Sequence, residues 1–176
     1  MVNFTKILLL ASTTAAIILP RDATTVENDI NQRIGPQWTT LGNNINGYPA
    51  SGLQGAFNIH DYAQSLVTIT NDATGNVNAA GSFSEADGTT ILADLQSLVH
   101  TFLGTLSAIG DQALAWGNLQ GGQAVILSDL QGLNSSFIGF FDALIAASPA
   151  DLVPAVTSVR TQVAEGFNSA IAPYSG

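Results

Sequence analysis

The sequence feature that most constrains the fold is a long apolar run at residues 122–148, GQAVILSDLQGLNSSFIGFFDALIAAS. Large apolar residues recur in it at three- and four-residue spacing, which predicts an amphipathic helix. They are Ile126, Leu130, Leu133, Phe137, Phe141 and Leu144, widened by Leu127, Ile138 and Ile145. Their arc covers roughly 140–160° of the helix circumference. A stripe this wide predicts a helix that contacts at least two neighbours or lines a cavity.

Four further segments carry the same periodicity. A first helix is expected from Asp22 or Thr25 to about residue 47, kinked or divided at Gly35-Pro36, because proline removes a backbone donor. A second is expected over about 56–77, after a linker at 52–55. It is predicted to be the weakest, because threonine and asparagine disfavour helices.

The third and last helices are better specified. Ser84 to Asp87 forms a capping box, and a regular apolar stripe follows it to Ile109. Residues 110–122 are glycine-rich and are predicted to form a loop or a helical turn. The last helix is expected from the Ser148-Pro149 cap to about Tyr174. Together these segments predict an all-α fold, a bundle of about five amphipathic helices within one domain at residues 22–175.

The N-terminal segment, residues 1–20, is predicted to be a secretory signal peptide. It has a basic residue at Lys6, a short apolar stretch and small residues near a cleavage site. The formal net charge is −9, and loss of Lys6 makes it more negative. This charge excludes a phosphate-binding surface, so nucleic acid is not an expected partner. The chain has no cysteine, so it has neither disulfides nor thiolate metal ligands.

Catalytic and metal-binding patterns are not found in the sequence. There is no G-x-S-x-G elbow, and most of the acidic residues are interpreted as helix caps or outward-facing positions. His60 and His100 have no companion at metal-ligand spacing and are expected to be solvated. We therefore predict that the chain is not an enzyme and needs no metal or cofactor.

Two polar residues lie inside apolar stripes and leave alternatives open. Arg160 falls within the stripe of the last helix, where it either pairs with a ligand carboxylate or snorkels and pairs with a neighbouring carboxylate. Asn134 begins the glycosylation sequon Asn134-Ser-Ser136, yet it lies between Leu130 and Ile138 on the apolar side. Either Asn134 is unmodified, which we favour, or this part of the arc faces outward.

The phenylalanines also allow two interpretations. Small residues are abundant on the same helices, and they either close the helix spacing or leave a void between helices. The aromatic residues are then core side chains in the first case and the lining of a lipid cavity in the second. They are Phe102, Phe137, Phe140, Phe141 and Phe167.

Four motifs, in this order and spacing, resemble the fungal hydrophobic surface-binding protein family, which includes cell-wall mannoproteins. They are Phe83-Ser-Glu-Ala-Asp87, Val125-Ile-Leu-Ser-Asp-Leu130, Ser148-Pro-Ala-Asp-Leu152 and Ala170-Ile-Ala-Pro-Tyr-Ser175. The resemblance extends from about Asp22 to Ser175, and the sequence departs from the family pattern at Gly35-Pro36 and around Trp116.

The resemblance implies a secreted, non-catalytic helical protein of the extracellular space or cell wall. It implies binding to hydrophobic solid surfaces, recruitment of a secreted esterase, and a fatty acid or other apolar ligand held in a tunnel between helices. The residues expected at that ligand site are Phe102, Leu130, Phe137, Phe141, Arg160, Val163 and Phe167. The competing hypothesis is a structural or antigenic cell-wall mannoprotein that holds no small ligand.

Overall fold

The computed structural model describes residues 22–175, which form helices joined by short connections. In chain order they are α1 (Ala23–Asn28), a π-helical turn (Asp29–Ile34), α2 (Gly35–Gly47), α3 (Gly52–Ala80), α4 (Glu85–Asp111), α5 (Ala113–Gly117), α6 (Gly122–Ala147), α7 (Val153–Ile171) and a 3₁₀ turn (Ala172–Tyr174). No strand occurs in this range. The predicted all-α bundle of about five helices is confirmed. The predicted signal peptide at 1–20 lies outside the described residues.

The first helical rod continues through Gly35-Pro36, which is the undivided of the two forms expected there. Asp22 caps it, its side chain accepting from the backbone N–H of Thr25 at 3.1 Å. Before the proline the backbone widens into the π-helical turn, in which the Gly35 N–H donates to the Ile30 carbonyl five residues back. The wider turn shifts the hydrogen-bond register ahead of Pro36, so the helical backbone continues through the proline.

The second predicted helix is longer than expected at both ends. Helix α3 runs from Gly52 to Ala80, so the expected linker at 52–55 and the expected end at residue 77 are wrong. Its low intrinsic propensity is overridden by packing, because α3 lies along α6 and α2. Asn76, expected near the helix end, is buried and donates to Asp29 Oδ2 at 2.5 Å. The weakest predicted helix is thus the longest one.

Two parallel helix pairs enclose the core. Helices α3 and α6 run in the same direction, since His60 lies beside Asp129 at one end and Val77 borders the same groove as Ala147 at the other. Helices α4 and α7 are also parallel. Helix α2 packs against both α3 and α4. At Gly42 an added Cβ would come within 2.7 Å of Thr105 Oγ1, so glycine permits the close approach of α2 to α4.

The segment expected at 110–122 is shorter than predicted, because α4 ends at Asp111 and α6 begins at Gly122; between them lies a helical turn, one of the two forms expected. Helix α5 holds Trp116, which is 1% exposed and stacks on Tyr48 with ring centroids 4.0 Å apart. Gln112 connects this turn with α2, because its side chain donates a hydrogen bond to the Ile45 carbonyl at 2.7 Å. Within the described range, none of the helices combines the length and the apolar character that a membrane span requires.

Candidate ligand site between the helices

Four aromatic side chains from four helices meet in the middle of the bundle; we call them the aromatic cluster. They are Trp38 on α2, Phe102 on α4, Phe137 on α6 and Phe167 on α7, none more than 3% exposed. The Trp38 ring centroid lies 4.7 Å from that of Phe102 and 5.1 Å from that of Phe137. Three of the predicted ligand residues are therefore brought into one contact group. Their rings touch one another, so at this position they fill the space between the helices.

Trp38 belongs to the cluster although it was not among the residues predicted at the ligand site. It lies in the apolar stripe of the first helix, and that periodicity indicates burial without indicating which rings it contacts. Its indole N–H is buried and has no hydrogen-bond partner among the described residues. A buried donor without a partner costs about 1–3 kcal/mol, so the cluster is not a fully satisfied core.

A small apolar gap adjoins the aromatic cluster. Its volume is about 10 Å³, and it is lined by Leu41, Ile59, Ala63, Ile109, Ile126, Leu130 and Leu133 together with Asp129. Leu41 follows Trp38 by one helical turn and Leu133 precedes Phe137 by one turn, which places the gap next to the rings. The gap contains one of the predicted ligand residues, Leu130. Since sites for small organic ligands have volumes of roughly 300 Å³ or more, an acyl chain enters only if side chains move apart.

The other predicted ligand residues on α6 and α7 are buried as well. Phe141 is 1% exposed and its ring lies 6.1 Å from that of Phe140, while Val163 is fully buried. Both contribute to the same continuous hydrophobic core as the aromatic cluster.

One buried carboxyl group borders the gap. Asp129 is 3% exposed, accepts from Gln64 Nε2 at 2.7 Å, and has its Oδ2 2.9 Å from His60 Nδ1. Burial raises the pKa of Asp129, while the hydrogen bonds from His60 and Gln64 act in the opposite direction. Most of the acidic residues were expected at caps and on outward faces, and Asp129 is an exception. His60, expected to be solvated, is half-exposed and engaged with Asp129.

The helical pattern contained a signal for Asp129. It lies three residues after Ile126 and four before Leu133, which is the spacing of the buried stripe itself. Its partners on α3 are 65 and 69 residues away in sequence, and no local pattern identifies them.

A second buried carboxyl group lies in the π-helical turn. Asp29 is 3% exposed and accepts from Arg33 Nη1 at 2.6 Å and from Asn76. Arg33 also donates to Asp72 at 3.1 Å, so this network ties the first rod to α3. Asp29 thus has a positively charged partner, whereas Asp129 depends on a histidine and an amide.

Arg160 and Asn134 lie at the margin of the core. Arg160 donates through Nε to Asp142 Oδ1 at 2.7 Å. Pairing with a neighbouring carboxylate was one of the two arrangements expected for it. The Arg160 side chain is 31% exposed and that of Asp142 is 56% exposed. Asn134 is half-buried, and its Oδ1 is buried without a hydrogen-bond partner among the described residues.

Comparison with known proteins identifies the family. The family model described as hydrophobic surface binding protein A matches residues 23–146. The chain belongs to the hydrophobic surface binding protein A family. The match covers the first rod and helices α3 to α6 almost completely, and therefore most of the aromatic cluster and the whole lining of the gap. The resemblance drawn from the sequence motifs is confirmed. The description of this family gives binding to hydrophobic surfaces as its function.

Solved structures share the fold of this family member. A structure of Afmp4p in complex with palmitic acid is 27% identical, with a TM-score of 0.82 over 88% of this chain and 100% of that one. Ligand binding domain 1 of the Penicillium marneffei MP1 protein, complexed with arachidonic acids, is 15% identical, with a TM-score of 0.80 over 88% and 99% of the two chains. Ligand binding domain 2 of the same protein, complexed with multiple arachidonic acids, is 13% identical, with a TM-score of 0.77 over 87% and 96%. A search of curated proteins found no match.

Proposed function

We propose that this family member binds a fatty acid between its helices, at the aromatic cluster and the gap beside it. The observation that carries the proposal is the gap itself, an apolar space bordered by residues of α2, α3, α4 and α6 and by one buried carboxyl group. The similarity to Afmp4p, whose structure contains palmitic acid, supports the same class of ligand. The acyl chain would lie among the predicted residues Phe102, Leu130, Phe137, Phe141, Val163 and Phe167.

Magnitudes favour opening of the core by an acyl chain. The contact of each aromatic pair contributes about 0.5–1.5 kcal/mol beyond its buried area, so separating the few ring pairs of the cluster costs several kcal/mol. Burial of one methylene group contributes about 0.8 kcal/mol, so a chain with about fourteen of them gains on the order of 10 kcal/mol. The gain exceeds the cost, and a long chain can therefore displace the rings where a short one cannot.

We place the polar group of the ligand at Asp129, His60 and Gln64, because this cluster joins the gap to solvent. A protonated carboxyl group can donate to Asp129, whereas an ionised one can accept from Gln64 and from a protonated His60. Arg160, at the margin of the core, is already paired with Asp142, so we expect it to contribute little to holding a ligand carboxylate.

The test is native mass spectrometry of delipidated protein with saturated fatty acids of ten to sixteen carbons. We expect a single bound molecule and an affinity that rises roughly three- to fourfold with each added methylene, which corresponds to about 0.8 kcal/mol. A protein that stays ligand-free with every acid contradicts the proposal. That result would favour the alternative of a structural cell-wall mannoprotein without a small ligand.

We also propose that the chain is secreted into the extracellular space or cell wall and that it is not an enzyme. Family membership and the signal peptide expected at residues 1–20 support secretion. Detection of the mature protein in culture medium or in a wall extract, starting after about residue 20, tests it. Recruitment of a secreted esterase, implied by the family resemblance, is tested by co-adsorption of the enzyme with the surface-bound protein.

A further inference from the structure

Two segments at one end of the bundle carry no ionisable acidic or basic side chain, and the exposed carboxylates of Asp111 and Asp61 border them. They are residues 45–57, which join α2 to α3, and residues 112–127, which contain α5 and begin α6; we call them the uncharged end. Neither segment contains Asp, Glu, Lys, Arg or His, in a chain with thirteen acidic residues and a sequence pI of about 4.1. Burial raises the pKa of the Tyr48 hydroxyl, so this group is neutral as well.

Contacts show that the two segments form one surface. Tyr48 stacks on Trp116, and its hydroxyl donates to the Ala115 carbonyl at 3.3 Å. Gln112 donates to the carbonyls of Ile45 and Tyr48 at 2.7 and 3.1 Å. A groove of about 220 Å³ lies between the segments, with Leu53 on one wall and Ala115 on the other. The backbone at this end is therefore held in place.

The exposed large apolar side chains of the described chain all lie at this end. Leu53 and Phe57 are each 56% exposed, Leu114 is 87% exposed and Val125 is 42% exposed. Leu53 and Phe57 are one turn apart on the same face of α3, and Leu114 precedes a residue of the groove wall. Exposed apolar residues that coincide with an absence of charge mark an interaction surface rather than scattered exposure.

We infer that the uncharged end is the face that adsorbs to an uncharged hydrocarbon solid. The inference rests on the surface-binding function of the family and is independent of the fatty-acid site between the helices. Contact confined to the apolar side chains of these segments leaves Asp61 and Asp111 at its edge, whereas contact through an acidic face would remove carboxylates from water. The net negative charge of the rest of the molecule excludes an anionic surface.

A bilayer and a second copy of the chain fit this end less well. Proteins that anchor at bilayer interfaces expose tryptophan, tyrosine and basic residues, but here Trp116 and Tyr48 are buried and no basic residue is present. Four partly exposed side chains amount to on the order of 500 Å², less than the roughly 800 Å² that each partner of a stable dimer buries.

The test compares adsorption of two charge-matched variants to octadecyl-coated silica. Leu53→Asp with Leu114→Asp adds two carboxylates at the uncharged end, and Ala79→Asp with Ala146→Asp adds two at exposed positions at the opposite end. All four positions are solvent-exposed, so the fold is retained, as circular dichroism will show. We expect the first variant to need at least about tenfold more protein for half-coverage, because a buried leucine contributes more than that factor, and the second to change by less than about twofold.

Each other outcome overturns a distinct part of the inference. If both variants adsorb equally well, this end is not the adsorbing face. If the wild type still adsorbs in that case, the surface-binding function itself stands. Failure of the wild type to adsorb removes that function as well. The wild type could also bind neutral phosphatidylcholine vesicles more tightly than silica and lose this binding in the first variant. In that case the partner of this end is a lipid layer and not a solid. If the wild type and the second variant form a dimer and the first variant does not, the partner of this end is a second copy of the chain and not a solid. Palmitic acid binding, measured in parallel, is unchanged in both variants.

Discussion

His60 and Asp129 join helices α3 and α6, with His60 Nδ1 2.9 Å from Oδ2 and 3.0 Å from Oδ1 of the carboxyl group. Asp129 is 3% exposed, whereas the His60 side chain is 42% exposed. The pair thus connects a buried acid at the apolar gap with solvent. Because burial raises the pKa of Asp129, the stability of the bundle depends on pH through this group.

The first prediction concerns that dependence. A carboxyl group with a raised pKa in the fold contributes its full stability below its unfolded pKa, and this stability is lost as pH rises through the folded pKa. Asp129→Asn removes the titration, so the variant should gain stability relative to wild type between pH 4 and pH 7. The gain is about 1.4 kcal/mol for each unit by which the fold raises the pKa. Urea unfolding at several pH values measures it.

Ser128→Ala is the matched control, since it alters the neighbouring exposed position on α6 without changing a titrating group. Its stability difference from wild type should be the same at pH 4 and pH 7. A constant difference for Asp129→Asn as well would show that the buried carboxyl group does not shape the pH dependence.

The second prediction concerns the gap. Leu133 is 1% exposed and lines the gap, so Leu133→Ala should cost about 2–5 kcal/mol of stability and enlarge the space beside the aromatic cluster. If an acyl chain binds there, palmitic acid should raise the melting temperature of this variant more than that of wild type. Leu95→Ala, a buried position that does not line the gap, serves as control. Equal ligand-induced shifts in both variants would place the acyl chain elsewhere.

The third prediction concerns Arg160. Its guanidinium is already paired with Asp142, and both side chains are partly exposed, so the pair contributes only about 0–1 kcal/mol. We expect Arg160→Gln to leave the affinity for palmitic acid within about twofold, since exposed ion pairs of this kind contribute little. If Arg160 does hold the ligand carboxylate, Arg160→Gln should weaken binding and Asp142→Asn, which frees the guanidinium, should strengthen it. Calorimetric titration of the two variants decides between these roles.

The fourth prediction concerns the sequon at Asn134. The side chain is half-buried and its Oδ1 lies in the core, so transfer of a glycan would require part of α6 to be exposed. We expect the secreted protein to keep its mass after treatment with an N-glycosidase. A loss of mass that Asn134→Gln abolishes would show that the site is modified.

Local patterns were sufficient for most of the fold. The cap at Ser84 and the stripe that ends at Ile109 specify α4 without reference to any other helix, and α4 lies where that pattern predicts. Helix α3 required more than local pattern. Its threonines and asparagines lower its propensity, and its first and last turns depend on contacts with the rest of the bundle, such as the bond between Asn76 and Asp29.

The candidate site was predictable in part. Apolar periodicity identified Phe102, Phe137 and Phe167 as inward-facing, and these rings do meet. The same periodicity could not indicate whether they would contact one another or border a void, because that depends on distances between helices. The contact of Trp38 with these rings was not predicted for the same reason. Asp129 occupied a buried position of the stripe, and its partner His60 lies on a helix far away in sequence.

The most direct test of fatty-acid binding between the helices uses the two tryptophans of the chain. Trp38 lies in the aromatic cluster, whereas Trp116 lies at the uncharged end. Trp116→Phe leaves Trp38 as the reporter, and Trp38→Phe leaves Trp116. Both variants are titrated with palmitic acid brominated along its chain, because bromine quenches indole fluorescence only on close contact.

We predict that the fluorescence of Trp38 is quenched in a saturable manner with one equivalent of the brominated acid, while that of Trp116 changes little. Unbrominated palmitic acid, added in excess, should reverse the quenching. Quenching of Trp116 with no effect on Trp38 would place the ligand at the uncharged end and contradict a binding site among Trp38, Phe102, Phe137 and Phe167.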